Sequence, residues 1–360
     1  MTPALKAEIR QHGDLIWSLS DFADRYGEQF TDLCFALQDG FKHFDSLLNI
    51  PDIPLSQKKN WYAGAFLGNK DPDALKNIPE NVSALLDRIK NGHQQAAMAY
   101  QHMIREYSRK ILFNRNIAKI RNIASRLVDL LSWLFFKQIA IRDLKPDNLM
   151  VAGDPSKYPQ FLSAPDGFEL GLIDVETAVR LDSGNKLPDQ PKLGWTPFYA
   201  TPAHMFINEV LGQLYEDARY IYLLQDWHAT VAMMFQAVTG KKLFVRTAGT
   251  LTEFSRELSR YFDNPSQMVA FAKKTTEKFW REASDEFDIR MRENEAVLTS
   301  TTLEITRSVR KMFHAAAEKS RSRDLKIRLG EVKSGVSVFE LLDIMFCHVA
   351  EIMDRGPKSV

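Results

Sequence analysis

Ile141-Arg142-Asp143-Leu144-Lys145-Pro146-Asp147-Asn148-Leu149-Met150 is the stretch on which the reading of this chain turns. A carboxylate, a cation and a neutral amide stand at Asp143, Lys145 and Asn148, between apolar neighbours and stiffened by Pro146. Just before it, Ile120, Ile123, Leu127, Leu130, Leu131 and Leu134 recur at three and four, which predicts an amphipathic helix from about Ile117 to Lys137. Around and after it the pattern becomes that of short strands: Gln138 to Arg142, Leu149 to Ala152, Phe168 to Ile173, and Glu176 to Leu181. Asp154-Pro155 and Ala164-Pro165-Asp166-Gly167 divide them as loops. From His204 to the end nearly everything reads as helix, apart from a short tail at Gly356 to Val360.

Three more segments come next in order. Leu172-Ile173-Asp174-Val175-Glu176 puts a carboxylate at the end of a strand-like run. Gly194-Trp195-Thr196-Pro197-Phe198-Tyr199-Ala200-Thr201-Pro202-Ala203 is a loop rich in hydroxyls and prolines. Gln225 to Phe244 reads as a helix apolar nearly all round, and such a helix belongs in a core. Asp226 stands at its expected start, where an N-cap contributes about 1 kcal/mol. Gly240 stands where a helix ends on a C′ glycine.

These four segments together resemble the eukaryotic-type protein kinase superfamily, in its serine/threonine branch. The first matches H-R-D-L-K-x-x-N with Ile141 for His; the second matches D-F-G with Val175 and Glu176 for Phe and Gly. The third matches the G-T-x-x-Y-x-A-P-E end of an activation segment with Ala203 for Glu, and the fourth matches the central F helix. The resemblance covers about residues 117–250 and implies a kinase-like C-terminal helical lobe over 117–355, mainly α with a few short β-strands. It places the catalytic loop at 141–148, the metal-binding segment at 174–176, the activation segment at 174–203 and the F helix at 226–240.

The resemblance also assigns roles. Asp143 is the base that accepts the substrate hydroxyl proton, and Lys145 stabilises charge on the moving phosphoryl group of ATP. Asn148 and Asp174 hold Mg²⁺. Arg142 is the type of residue that pairs with a phosphorylated activation segment. Ser183 is the freer phosphate acceptor, Thr201 is a nearby hydroxyl, and Thr196 positions the substrate site. Asp226 hydrogen-bonds the catalytic-loop backbone. Glu176 restricts movement of its segment, because glycine permits backbone conformations closed to other residues, and adds negative charge near the metal. Ala203 removes a carboxylate anchor, which must be absent or rebuilt. The implied activity is transfer of the ATP γ-phosphoryl group to serine or threonine of a protein substrate. The alternative is a pseudokinase or interaction scaffold with weak or no nucleotide binding. Lys145 and the Thr196–Pro202 segment set the chain apart from small-molecule kinases of the aminoglycoside or choline type.

Residues 1–116 do not continue the resemblance. Leu15, Ile16, Leu19, Phe22, Tyr26, Phe30, Leu33, Leu37 and Phe41 predict helix up to about residue 50, and a second helix is expected from about Asn81 to Tyr107. No G-x-G-x-x-G and no V-A-x-K is present; Ala63-Gly64-Ala65-Phe66-Leu67-Gly68 is the nearest fragment. Three readings stay open: an N-lobe supplied by an upstream segment, with 1–116 an insertion or regulatory bundle; helices that replace the N-lobe; or a very divergent N-lobe. Trp61-Tyr62 reads as core rather than a ligand cage.

Composition bounds the rest. The 47 basic and 46 acidic residues nearly cancel, which leaves no electrostatic footprint for nucleic acid or an anionic membrane. No apolar run reaches the roughly 18–20 residues of a membrane span. Two cysteines, Cys34 and Cys347, make no disulfide framework and point to a reducing, cytoplasmic setting. The eight histidines are scattered, without the spacing of a His/Cys metal site.

Overall fold

The computed structural model describes residues 28–48, 53–66, 78–181, 188–261 and 265–354. The chain is mainly α-helical with a few short strands, and it divides into two compact units, Met1–Arg115 and Asn116–Val360. No helix among the described residues is long and apolar enough to cross a membrane.

In the first unit, α1 (Glu28–Leu48), α2 (Leu55–Phe66) and α3 (Glu80–Gly92) pack on one another. Leu37, Phe41, Phe44 and Leu48 recur at four and three, so one face of α1 is buried. That face meets Trp61 and Tyr62 of α2, with the Phe41 and Tyr62 rings edge to face at 5.5 Å. Trp61 and Tyr62 are therefore core. Val82, Leu86 and Ile89 supply the buried face of α3. The segment Ala63–Phe66 lies inside α2, so the nearest glycine-loop fragment is helical as far as it is described. Residues 1–27, which carry the first part of the expected helix, lie outside the described residues.

The expected break between Tyr107 and Ile117 is corrected. Helix α4 runs without interruption from Gln94 to Lys137. The break falls earlier, at Gly92 and His93, and no glycine or proline interrupts the 44 residues of α4.

In the second unit the strands pair as three separate antiparallel ladders. β1 (Ile139–Ala140) pairs with β4 (Val179–Arg180), Ala140 opposite Val179. β2 (Leu149–Gly153) pairs with β3 (Phe168–Leu172), Leu149 opposite Leu172 and Gly153 opposite Phe168. The helices α5 (Asn208–Leu214), α6 (Ala218–Thr239), α7 (Val245–Leu258), α8 (Pro265–Glu293) and α9 (Glu295–Ser300) come after them. A third ladder, β5 (Thr302–Glu304) with β6 (Gly335–Ser337), was not expected from the sequence; its strands are three residues long, too short to show alternation. It brackets α10 (Arg307–Lys319) and α11 (Arg323–Gly330), and α12 (Val338–Asp354) ends the described chain.

Helix α6 is the centre of this unit, with eighteen of its 22 residues buried, so no face of it is left to solvent. α12 lies along it, and β1 crosses near its first half. It begins eight residues before the expected start: Asp217 is the N-cap, its Oδ1 accepting from Tyr220 N at 3.0 Å. Gly240 ends the helix with φ 69°, a left-handed conformation that glycine adopts without a Cβ clash.

Candidate active site

Because α6 starts early, Asp226 sits in its third turn rather than at its end, and the N-cap role expected for it is overturned. Its carboxylate instead grips the loop after β1. Oδ2 accepts from Ile141 N at 2.7 Å and Oδ1 from Arg142 N at 2.8 Å. Burial pushes the Asp226 carboxyl up to about 7, opposed by the two amides and by the Arg142 charge.

The loop itself is strained. Arg142 has φ 71°, and Asp143 N donates back to Ile141 O at 2.9 Å, which closes a positive-φ γ-turn, a rare kind for a residue with a side chain. Asp174 has φ 57°. Non-glycine residues in this region cost on the order of 1–3 kcal/mol and persist where the surroundings hold them. Ile141 is buried, and its carbonyl accepts from Thr177 Oγ1 at 2.8 Å.

Beyond the turn the polar side chains converge. Lys145 Nζ donates to Asp143 Oδ2 at 2.6 Å and to Thr196 Oγ1 at 3.1 Å, and Thr196 Oγ1 donates to Asp143 Oδ1 at 2.9 Å. Asn148 Nδ2 donates to Asp143 O at 2.9 Å, so the amide oxygen of Asn148 is kept for another partner. The ion pair is mostly shielded, at 19% and 15% side-chain exposure. Asp143, Lys145, Asn148 and Thr196 are thus brought together. Asp174 comes close through the β2–β3 ladder: Ile173 N donates to Asn148 O at 3.0 Å, and Asp174 is the next residue, with its side chain exposed. Glu176 is exposed and paired with Lys192 at 2.7 Å; that hydrogen bond and charge hold its carboxyl below the usual range. Its added negative charge is therefore met within the protein.

The remaining candidates are placed differently. Arg142 is 2% exposed: Nε donates to Gln225 Oε1 at 3.3 Å, Nη1 to Lys192 O at 2.9 Å, and the guanidinium lies over the Tyr222 ring at 5.2 Å. Burial lowers its pKa despite Tyr222 and Asp226. It already ties the loop to the 174–203 segment through the Lys192 carbonyl. Thr201 is fully buried and caps the 3₁₀ turn Pro202–Met205, so its hydroxyl is not offered to solvent. Ser183 lies outside the described residues.

Sequence reasoning missed His204. Its Nε2 lies 2.6 Å from Arg142 O, and a carbonyl only accepts, so Nε2 carries the proton. Nδ1 then accepts from Thr201 N at 3.0 Å. Burial lowers its pKa to about 3, so the ring is neutral. His204 fastens the end of the segment directly to the strained turn. The signal available was the expected anchor at position 203, where Ala203 stands: a polar residue beside it was the place to look for a rebuilt one. Among the described residues no three His, Cys, Asp or Glu form a group able to hold a metal by themselves. No family model, curated protein or solved structure matches this chain.

Proposed function

We propose that the second unit is a protein-kinase-like C-terminal lobe whose site transfers the ATP γ-phosphoryl group to serine or threonine hydroxyls of a protein. The observation that carries the reading is the bonded set of Asp143, Lys145 and Thr196 beside Asn148, on a strained turn gripped by Asp226. Backbone strain of this kind gathers at functional sites.

The donor set fits magnesium, a hard cation that takes oxygen ligands from one or two side chains and completes its shell with water and phosphate. Asn148 and Asp174 would hold it. Mg²⁺·ATP, when bound, supplies the phosphoryl group and neutralises charge on the phosphate oxygens. Asp143 accepts the proton of the incoming hydroxyl; Thr196 donates to its Oδ1 and Lys145 to its Oδ2, with Asn148 Nδ2 a longer donor to Oδ2 at 3.5 Å, and an ionised carboxylate has about four lone-pair sites. Lys145 offers its ammonium to negative charge developing at the same place. Thr196 orients Asp143 and Lys145 together.

A second reading, a kinase-derived scaffold, is favoured by one observation. The described residues before Ile139 contain no strand that would carry an ATP-clamping lysine. Two experiments separate the readings. In the first, the purified chain is given γ-labelled ATP, magnesium and a mixed serine/threonine peptide library. Label transfer that disappears in Asp143→Asn, at an unchanged melting temperature, supports the enzyme. In the second, Mg²⁺·ATP is titrated by calorimetry with Asp174→Ala as control. Absence of magnesium-dependent binding at millimolar nucleotide favours the scaffold.

A further inference from the structure

Helix α10 buries Val309, Met312, Phe313, Ala316 and Ala317 and turns Arg307, Arg310, Lys311 and His314 to solvent. The exposed four are spaced at three and four, so they form one stripe. Residues 307–333 hold nine basic against three acidic side chains, in a chain whose totals, 47 and 46, nearly cancel. Further along this segment Lys319, Arg321, Lys326 and Arg328 meet Asp217, Glu216, Glu318 and Asp343. Among the described residues, Arg307, Arg310 and Lys311 meet no carboxylate. Like charges at this spacing repel, and cations in the first turns of a helix oppose its dipole. The stripe therefore works against the helix that carries it.

The stripe leads to a cavity. Arg307, Lys311, Ala315 and Lys319 are four apart and form one ridge, roughly 18 Å long, the span of five or six extended residues. Ala315 and Lys319 border a cavity of about 590 Å³ between α4, α6 and α10. Buried Tyr220 and Leu223 line it beside Phe135, with Gln138 and Arg219, and its two carboxylates are paired, Asp217 with Lys319 and Glu216 with Arg321.

We propose that this ridge and cavity dock an acidic segment of a partner protein. An aromatic or long aliphatic side chain enters the cavity, and carboxylates roughly four residues away along the segment reach Arg307, Arg310 and Lys311. A concave cavity lined in part by Phe135, Tyr220 and Leu223 takes a single apolar side chain, which neither a flat bilayer nor a phosphate backbone offers. Nothing in the proposal depends on the phosphotransfer reading.

The test is a selection of displayed random peptides on the full chain, followed by anisotropy titrations of an enriched peptide. The expected result is enrichment of sequences with carboxylates set apart from one large apolar residue. Their affinity falls about tenfold or more in Arg307→Glu/Arg310→Glu/Lys311→Glu and weakens with salt. Ala315→Trp, which fills the cavity without touching charge, also weakens binding. Should the reversed variant melt early, Arg307→Gln/Arg310→Gln/Lys311→Gln reads the same loss. Enrichment without acidic bias, or equal affinity in these variants, overturns the proposal. So does reversal-sensitive binding of duplex DNA or of phosphatidylcholine–phosphatidylserine vesicles where acidic peptides are not enriched.

Discussion

The two ladders that flank the candidate site are built on opposite terms. β1–β4 pairs only two residues on each strand, yet Ala140 and Val179 are buried and α6 crosses beside β1. β2–β3 pairs five on each strand, yet leaves Met150 50% and Val151 43% exposed, and Ile173 and Val175 just beyond it 46% and 49%. An isolated two-stranded ribbon is marginal in water. The difference teaches that ladder length does not decide which part is held. The short ladder belongs to the core through Asp226, Thr177 and His204; the long one presents apolar side chains beside Asn148 and Asp174.

Four expectations put that contrast at risk. The largest effect belongs to Asp226→Ala, which leaves the amides of Ile141 and Arg142 buried without an acceptor and Arg142 without a nearby countercharge. A loss of about 3–5 kcal/mol is expected in denaturant unfolding, together with any catalytic activity. Next, Asp143→Asn keeps the shape of the site and removes the proposed base. For the proposed reaction, transfer falls roughly 10²- to 10⁴-fold in a labelled-ATP assay, while the melting temperature moves little.

The third is pH dependence. Burial holds His204, His228 and His348 down to about 3, 4 and 4, from 6.5. Unfolded, each gains a proton as pH falls through 6.5; folded, it does not until those lower values. The stability present above that pH is therefore lost as pH drops toward 4. Asp226 acts the other way, since its folded carboxyl, at about 7, takes a proton before the unfolded one at 3.8. Burial also raises the Asp129 carboxyl, in the same sense as Asp226; three histidines outweigh two carboxyls, so unfolding free energy falls on acidification, by up to about 1.4 kcal/mol per pH unit for the excess group. Urea melts at about pH 7.5 and about pH 5 measure it. None of these groups lies on the ribbon. The smallest effect is a matched pair of substitutions: Val179→Ala is expected to cost about 2 kcal/mol, and Val151→Thr less than about 0.5 kcal/mol. Equal costs would erase the contrast between the ladders.

How far the sequence was legible depends on how local each signal is. The four strands around Asp143 could be read because runs such as Leu149 to Ala152 are bounded by turn residues within a few positions. The buried helix could be read because its apolar character continues all round. Its true start could not: Ala218 to Leu224 are as apolar as the later turns of the helix, so Asp226 looked like the first polar residue of a helix when it is a buried acceptor inside one. The junction near Tyr107 looked like a boundary because its charges blur the apolar period, but charge does not stop a helix as Gly92 does. His204 and Gln225 were invisible because their partners, Arg142 and its carbonyl, lie 62 and 83 positions away. Convergence of Lys145 and Thr196 on one carboxylate is likewise a long-range fact, 51 positions apart.

The grip of Asp226 on Ile141 and Arg142 is made to main-chain nitrogens alone. Such a clasp is blind to what the gripped residues carry. Any side chain that fits the buried space at 141 leaves it intact, whereas at 226 a single atom's change undoes it. Tolerance to substitution is therefore lopsided across one contact. Position 141 accepts any side chain of suitable shape while the turn keeps its geometry, and the constraint on that turn is written 85 residues away, in a helix none of whose residues is exposed.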